Sequence, residues 1–204
     1  MSPPAAAASS RKFWALGTGY NGGAVIQKLP DGSPPQFAFF EAQALGPAFP
    51  NPATMRFSKD FPKELKVLDS VASDLSVPIV SARLKAVLDR VAPGECEFLP
   101  VILLNHKGKV ASQEHALLNP LRTADLIDMK SSKYRTSSFE PTQIATLNEL
   151  HVLPDQVDPA VHIFRATTMQ EQIFIDQAVH DAFEGAQLTG LRLFPAEGWD
   201  GNTM

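Results

Sequence analysis

Val77-Pro78-Ile79-Val80-Ser81-Ala82-Arg83-Leu84-Lys85-Ala86-Val87-Leu88-Asp89-Arg90-Val91-Ala92-Pro93-Gly94-Glu95-Cys96-Glu97-Phe98-Leu99-Pro100-Val101-Ile102-Leu103-Leu104-Asn105-His106-Lys107-Gly108-Lys109 places two different periodicities side by side. Val80, Leu84, Val87, Leu88 and Val91 recur at helical spacing, with Arg83, Lys85, Asp89 and Arg90 on the opposite side. With Ser76 as punctuation and Pro78 pre-setting the backbone, the pattern predicts a helix running to about Val91, stopped by Pro93-Gly94. Residues 97–104 then read as an apolar strand. Residues 105–109 read as a hairpin loop into a returning strand that ends near Leu118.

Upstream, Pro62 suits a first helical position, and Leu65, Leu68, Val71 and Ala72 follow at helical spacing, which predicts another helix there. The first sixty residues are broken by Gly17, Gly19, Gly22, Gly23, Pro30, Gly32, Pro34, Pro35, Pro47, Pro50 and Pro52. Only short strands fit between these breakers, at about 13–16, 24–28 and 36–40. Downstream, strands are expected at 121–129, 144–152 and 162–166. A helix follows from Asp176 as N-cap to Gly185 as stop, with Ala178, Val179, Ala182 and Phe183 as its apolar face. Leu191 and Leu193 alternate with Arg192 and Phe194 in a closing strand. Helices and strands are segregated more than alternated. The expected fold is α+β, a mainly antiparallel sheet with a few packed helices, in a single domain over 13–196. Residues 1–12 are expected to form a flexible tail and 197–204 a loose one.

The chain of 204 residues carries a formal net charge of −4, so its overall balance announces neither a nucleic-acid nor a membrane partner. Cys96 is alone, which excludes an intramolecular disulfide and a cysteine-based zinc cluster and makes a reducing compartment the simplest home. The opening Pro/Ala/Ser-rich segment has neither a basic stretch nor an apolar one, so no secretory signal is expected, and no apolar run is long enough to span a bilayer. A soluble, cytoplasmic protein is the expectation.

Gly17-Thr18-Gly19-Tyr20-Asn21-Gly22 matches a dinucleotide-binding fingerprint in letters only. That mechanism needs a helix opening directly after the glycines, and Pro30 with Asp31-Gly32 follows too soon for a βαβ unit. No cofactor is expected. His106, His115, His151, His162 and His180 form no tight ligand pair, so no metal is expected either. Between Ala124 and Tyr134, a strand would place Asp125 with Ile127 and Met129 on one face, and Leu126 with Asp128 on the other. One carboxylate then lies beside apolar neighbours. It either accepts backbone, Ser131 or Ser132 hydrogen bonds and fixes a turn, or it serves recognition or catalysis.

Four stretches stand in a telling order: residues 77–88; Asn119-Pro120-Leu121-Arg122-Thr123-Ala124-Asp125-Leu126-Ile127-Asp128 with 130–134; Ile163-Phe164-Arg165; and Gly190-Leu191-Arg192-Leu193-Phe194. Together, over about 61–196, the chain resembles immunity family eleven of the bacterial polymorphic-toxin systems. The resemblance implies a cytoplasmic antidote that binds a cognate toxin and blocks it by stoichiometric contact. The toxin is often encoded beside the antidote, and nuclease-like domains are among those toxins. The family brings no catalytic residues, so the expected site is a binding surface, with Asp125, Asp128, Lys130 and Tyr134 as its candidate residues. Two other readings compete: an enzyme pairing Asp125 or Asp128 with a histidine as acid and base, and an accessory subunit of a secretion-linked assembly.

Overall fold

The computed structural model describes residues 11–19 and 22–202, and most of the expected N-terminal tail lies outside them. The domain begins before Phe13, because Arg11 Nη2 donates to Val161 O at 2.7 Å and to Asp176 Oδ2 at 3.0 Å. In chain order the regular elements are β1 (Phe13–Thr18), β2 (Val25–Ile26), β3 (Thr54–Arg56), β4 (Ser70–Ser73), β5 (Ile79–Ser81) and α1 (Ala82–Val91). Then come β6 (Cys96–Leu104), β7 (Val110–Pro120), β8 (Thr123–Ala124), β9 (Lys133–Thr136), β10 (Ile144–Glu149), β11 (Ile163–Ala166), β12 (Met169–Asp176), α2 (Gln177–Gly185) and β13 (Leu191–Pro195). One sheet runs β2-β4-β5-β7-β6-β3, a second runs β13-β1-β12-β11-β8, and β9 pairs with β10 separately. Most pairings are antiparallel; β2–β4, β3–β6 and β8–β11 are parallel. The fold is α+β, as the sequence predicts.

Strand alternation divides the apolar residues among three cores. The two large sheets share a middle core with both helices: Leu84, Val87 and Leu88 of α1, Val179 and Phe183 of α2, Leu118 of β7, and Ile173 and Ile175 of β12. The outer face of the six-stranded sheet buries Leu99, Val101, Leu103 and Leu117 beneath Phe39, Phe40, Leu45, Phe49, Met55 and Phe57. Within the Gly/Pro-rich first third, the chain between β2 and β3 is therefore a cover: it forms only short 3-10 turns, and its phenylalanines supply buried apolar area. The outer face of the five-stranded sheet buries Phe13, Phe164 and Phe174 beneath Leu126, Ile127, Leu147, Leu150, Val157 and Trp199.

The hairpin expected at 105–109 is present: Asn105 Oδ1 accepts from the amides of Lys107 at 2.9 Å and Lys109 at 3.1 Å, and Gly108 takes φ +73°. The last helix also starts on its expected cap, with Asp176 Oδ1 accepting from Val179 N at 3.2 Å. Its expected apolar face is trimmed, because Ala178 is exposed and Ala182 half-buried.

Other expectations are corrected. The helix predicted after Phe61 does not form; Leu65 is exposed and 70–73 become β4. Ser70, Val71 and Ala72 are buried on both faces, and pairing with β2 and β5 overrides a spacing that only looked helical. The next helix starts later than Pro78 implied. Ile79–Ser81 is a strand, and Ser81 Oγ caps α1 by accepting from Leu84 N at 3.2 Å. Residues 36–40 are a 3-10 turn, not a strand. Of 121–129 only Thr123–Ala124 forms a strand, with a single antiparallel bridge from Ile127 to Val152, and β10 stops at Glu149. The loose tail expected from 197 is packed as far as it is described, with Trp199 buried and Leu150 N donating to its carbonyl at 2.8 Å.

Candidate functional site

Residues 125–134 form an irregular cover held by their own polar groups. Asp128 Oδ1 accepts from Lys130 N at 2.9 Å and from Ser131 N at 3.3 Å, and Oδ2 accepts from Ser131 Oγ at 2.7 Å. Its own amide donates to His151 O at 2.9 Å, which ties the turn to the end of β10. The Ser131 hydroxyl first, and the Lys130 amide next, hold the Asp128 carboxyl below the usual carboxylate range. The turn-fixing arrangement is therefore the one Asp128 adopts. Asp125 is exposed and accepts from Thr167 Oγ1. Lys130 is exposed, and Tyr134 is half-buried against the outer core of the five-stranded sheet. The segment brings these four residues onto one cover without converging them on a pocket.

Neither Asp125 nor Asp128 is hydrogen-bonded to a histidine side chain, the pairing that the acid–base alternative would use. The histidines are engaged elsewhere. His115 is buried, within 2.7 Å of Ser112 Oγ and 3.1 Å of Leu68 O. His151 Nδ1 lies 2.6 Å from Glu197 Oε1, and His106 Nε2 lies 2.8 Å from Ser58 O. His180 stacks on Trp14 with ring centroids 4.2 Å apart. His162 Nδ1 lies 2.8 Å from Asp176 Oδ2, the oxygen that also receives Arg11. Among the described residues no three His, Cys, Asp or Glu side chains converge as a metal site would need. Cys96 packs against the middle core, and burial, followed by the charges of Glu95 and Asp89, pushes its thiol well above the ordinary range.

The glycine-rich stretch leads from β1 into β2 rather than into a helix. Gly19 N donates to Gly190 O at 2.9 Å, and position 190 requires glycine both because its φ is +82° and because a Cβ there would sit 2.1 Å from Ser70 O, so the chain before β13 approaches β4 of the other sheet closely.

Arg165 is the residue whose role sequence reasoning did not anticipate, although it lies in one of the quoted stretches. It is fully buried on β11. Nη1 donates to Gln170 O at 2.8 Å and Glu171 O at 3.0 Å, and the guanidinium lies 5.2 Å from the Phe40 ring centroid. Among the described residues Nε and Nη2 have no hydrogen-bond partner, and burial brings the pKa of the group down to about 10. It remains cationic at neutral pH and braces the β11–β12 turn against the Gly/Pro-rich cover.

Two concavities bordered by cationic side chains lie around the β6–β7 hairpin. Parallel pairing sets Arg56 of β3 beside Leu104 at the end of β6, which brings 56–59 alongside 105–109. One concavity of about 520 Å³ is lined by Lys59, Lys107 and Lys109 with Pro62 and Leu65. A neighbouring one of about 650 Å³ shares Lys59 and adds Lys28 and Arg56.

Among the described residues, no helix is long and apolar enough to cross a membrane. A search of curated proteins finds no match. The model of the immunity protein family Imm11 matches residues 18–197, from the last residue of β1 to just beyond β13.

Proposed function

Because this chain belongs to the immunity protein family Imm11, we propose that it is a bacterial cytoplasmic antidote that neutralises one cognate polymorphic toxin by binding it stoichiometrically. The observation that carries this reading is the extent of the family match, which takes in both helices, the whole six-stranded sheet and every strand of the five-stranded sheet except most of β1. The lone Cys96 suits a reducing compartment. Nuclease-like domains are one class of toxin that such an antidote would block. Neutralisation then requires a surface and no reaction, with about 800 Å² buried on each partner and a few anchor residues carrying most of the energy. Of the candidate residues on the 125–134 cover, Lys130 is exposed, Asp125 is exposed but accepts from Thr167 Oγ1, Asp128 is committed to its own turn, and Tyr134 is half-buried against the core.

Purified protein is titrated at several molar ratios against the toxin encoded by the neighbouring gene. Toxin activity should fall in proportion to the antidote added and reach its floor near equivalence. Protection by a trace amount, with turnover, would replace this reading with an enzymatic one.

A further inference from the structure

We propose that the toxin docks on the basic face around the β6–β7 hairpin, and that the docked element is an acidic segment of that protein. This rests on the immunity reading above and names the surface that serves it. Lys28, Arg56, Lys59, Lys107 and Lys109 are all exposed there. Among the described residues none of the five forms an ion pair; the Lys and Arg side chains that do are Arg11, Arg83, Lys85 and Lys133. Arg56 reaches the hairpin itself, its Nη1 lying 3.1 Å from where a Cβ on Gly108 would sit. Asp31 and Asp60 are the carboxylates lining the two concavities, so the cations outnumber them. A face of this sign on a chain of net charge −4 marks a local requirement rather than the protein's general charge.

Edge protection explains some of these cations, since β3 borders its sheet and lysine there discourages strand pairing. It does not explain the shape. The two concavities adjoin at Lys59, Asn105 and His106, and the His106 contact with Ser58 O at 2.8 Å holds the hairpin against the wall between them. Apolar groups lie among the cations: Leu65 is 56% exposed and Val110 54%, with Pro62 beside Leu65. Exposed apolar side chains ringed by charge fit a protein interface with a dry centre and a polar rim. A nucleic-acid backbone would instead be met by cations along a continuous track, and the negative charge of the whole chain would oppose it.

The test compares affinity for the toxin of the neighbouring gene across three proteins: wild type, the triple variant Lys59→Glu/Lys107→Glu/Lys109→Glu, and the double variant Asp125→Lys/Lys130→Glu. All substituted side chains are exposed, and thermal unfolding checks that each variant folds. Single Lys107→Glu, at the hairpin tip, stands in if the triple does not. The triple variant should bind at least about tenfold more weakly, chiefly through slower association, and wild-type affinity should fall as salt rises. The double variant should change affinity less. Equal binding by wild type and a folded charge-reversed hairpin, or loss confined to the double variant, overturns the docking surface and leaves the antidote reading standing. Failure of the wild type to bind the toxin overturns both. Tight binding of a short DNA duplex that displaces the toxin assigns the face to nucleic acid and overturns the proposal.

Discussion

The two large sheets each turn one face to the shared helical core and the other to a cover of irregular chain, and the two covers use their polar residues in opposite ways. Over the five-stranded sheet, polar groups are consumed by the fold: Asp128 ties a turn, His151 meets Glu197, and Lys133 meets Glu149. Over the six-stranded sheet the cover is held by phenylalanines and by Glu97, which accepts from the amides of Leu45 and Gly46, while the neighbouring cations have no ionic partners among the described residues. Structure explains the first set of charges and leaves the second set free. A binding surface is better sought where side chains are not already committed, because a committed group must break a contact before it can make another.

The comparison fails first if the Gly/Pro-rich segment is a loose wrapping rather than core. Phe39 is fully buried in it and meets Phe49 edge-on at 6.3 Å between centroids. Phe39→Ala should cost about 3–5 kcal/mol, as for a phenylalanine inside any close-packed core. A denaturant midpoint like that of the wild type would show that this cover contributes no core of its own. Leu88 sits in the middle core that both sheets share and is 1% exposed. Leu88→Ala should cost about 2–5 kcal/mol and lower a single cooperative transition. Separate melting of the two halves would show that the sheets are independent units.

What was legible in the sequence follows the same division. The β6–β7 hairpin and α2 announced themselves because their signals are local: an apolar run, an Asn and Gly turn, an Asp cap. β4 and β5 were concealed because strands buried on both faces show no alternation, and Leu65, Leu68, Val71 and Ala72 fall at helical spacing by coincidence. β12 went unseen because it opens on Met169-Gln170-Glu171-Gln172. Gln172 is nevertheless buried, its Nε2 donating to Leu16 O at 2.9 Å. At the candidate site, the turn role of Asp128 was one of two readings the residues allowed. The basic face had no sequence signal, since Lys28, Arg56 and Lys107 are brought together by the Ile26–Phe57 bridge and by the parallel pairing of β3 with β6.

A smaller effect sharpens the view of β7, the strand that carries the hairpin. Burial lowers the pKa of His115 below 6.5; the Leu68 carbonyl and the carboxylates of Asp69 and Glu114 oppose this without reversing it. The unfolded chain therefore takes up this proton before the folded one does. The contribution of His115 is complete above pH 6.5 and is lost progressively as the pH falls from there toward the lowered folded value. Melting temperature should fall on acidification less steeply in His115→Gln than in the wild type. Parallel profiles would mean that His115 is already free to protonate in the folded protein.

The smallest expected effect concerns the carboxylate–histidine pair whose carboxylate is the most buried, His162 with Asp176. The same Asp176 caps α2 through Oδ1 and receives Arg11 on Oδ2. Such a carboxylate is occupied in joining the start of the chain, β11 and α2, and nothing about its geometry requires a proton to move. His162→Gln keeps a side chain able to donate to Asp176, so it should preserve the cap and the fold. Toxin neutralisation by this variant should match the wild type at every molar ratio, with the same saturation near equivalence. If neutralisation is lost while affinity for the toxin is retained, proton transfer is part of the mechanism. The distinction between the two covers then stops being a guide to where this protein acts, because the working group would be one the fold had already engaged.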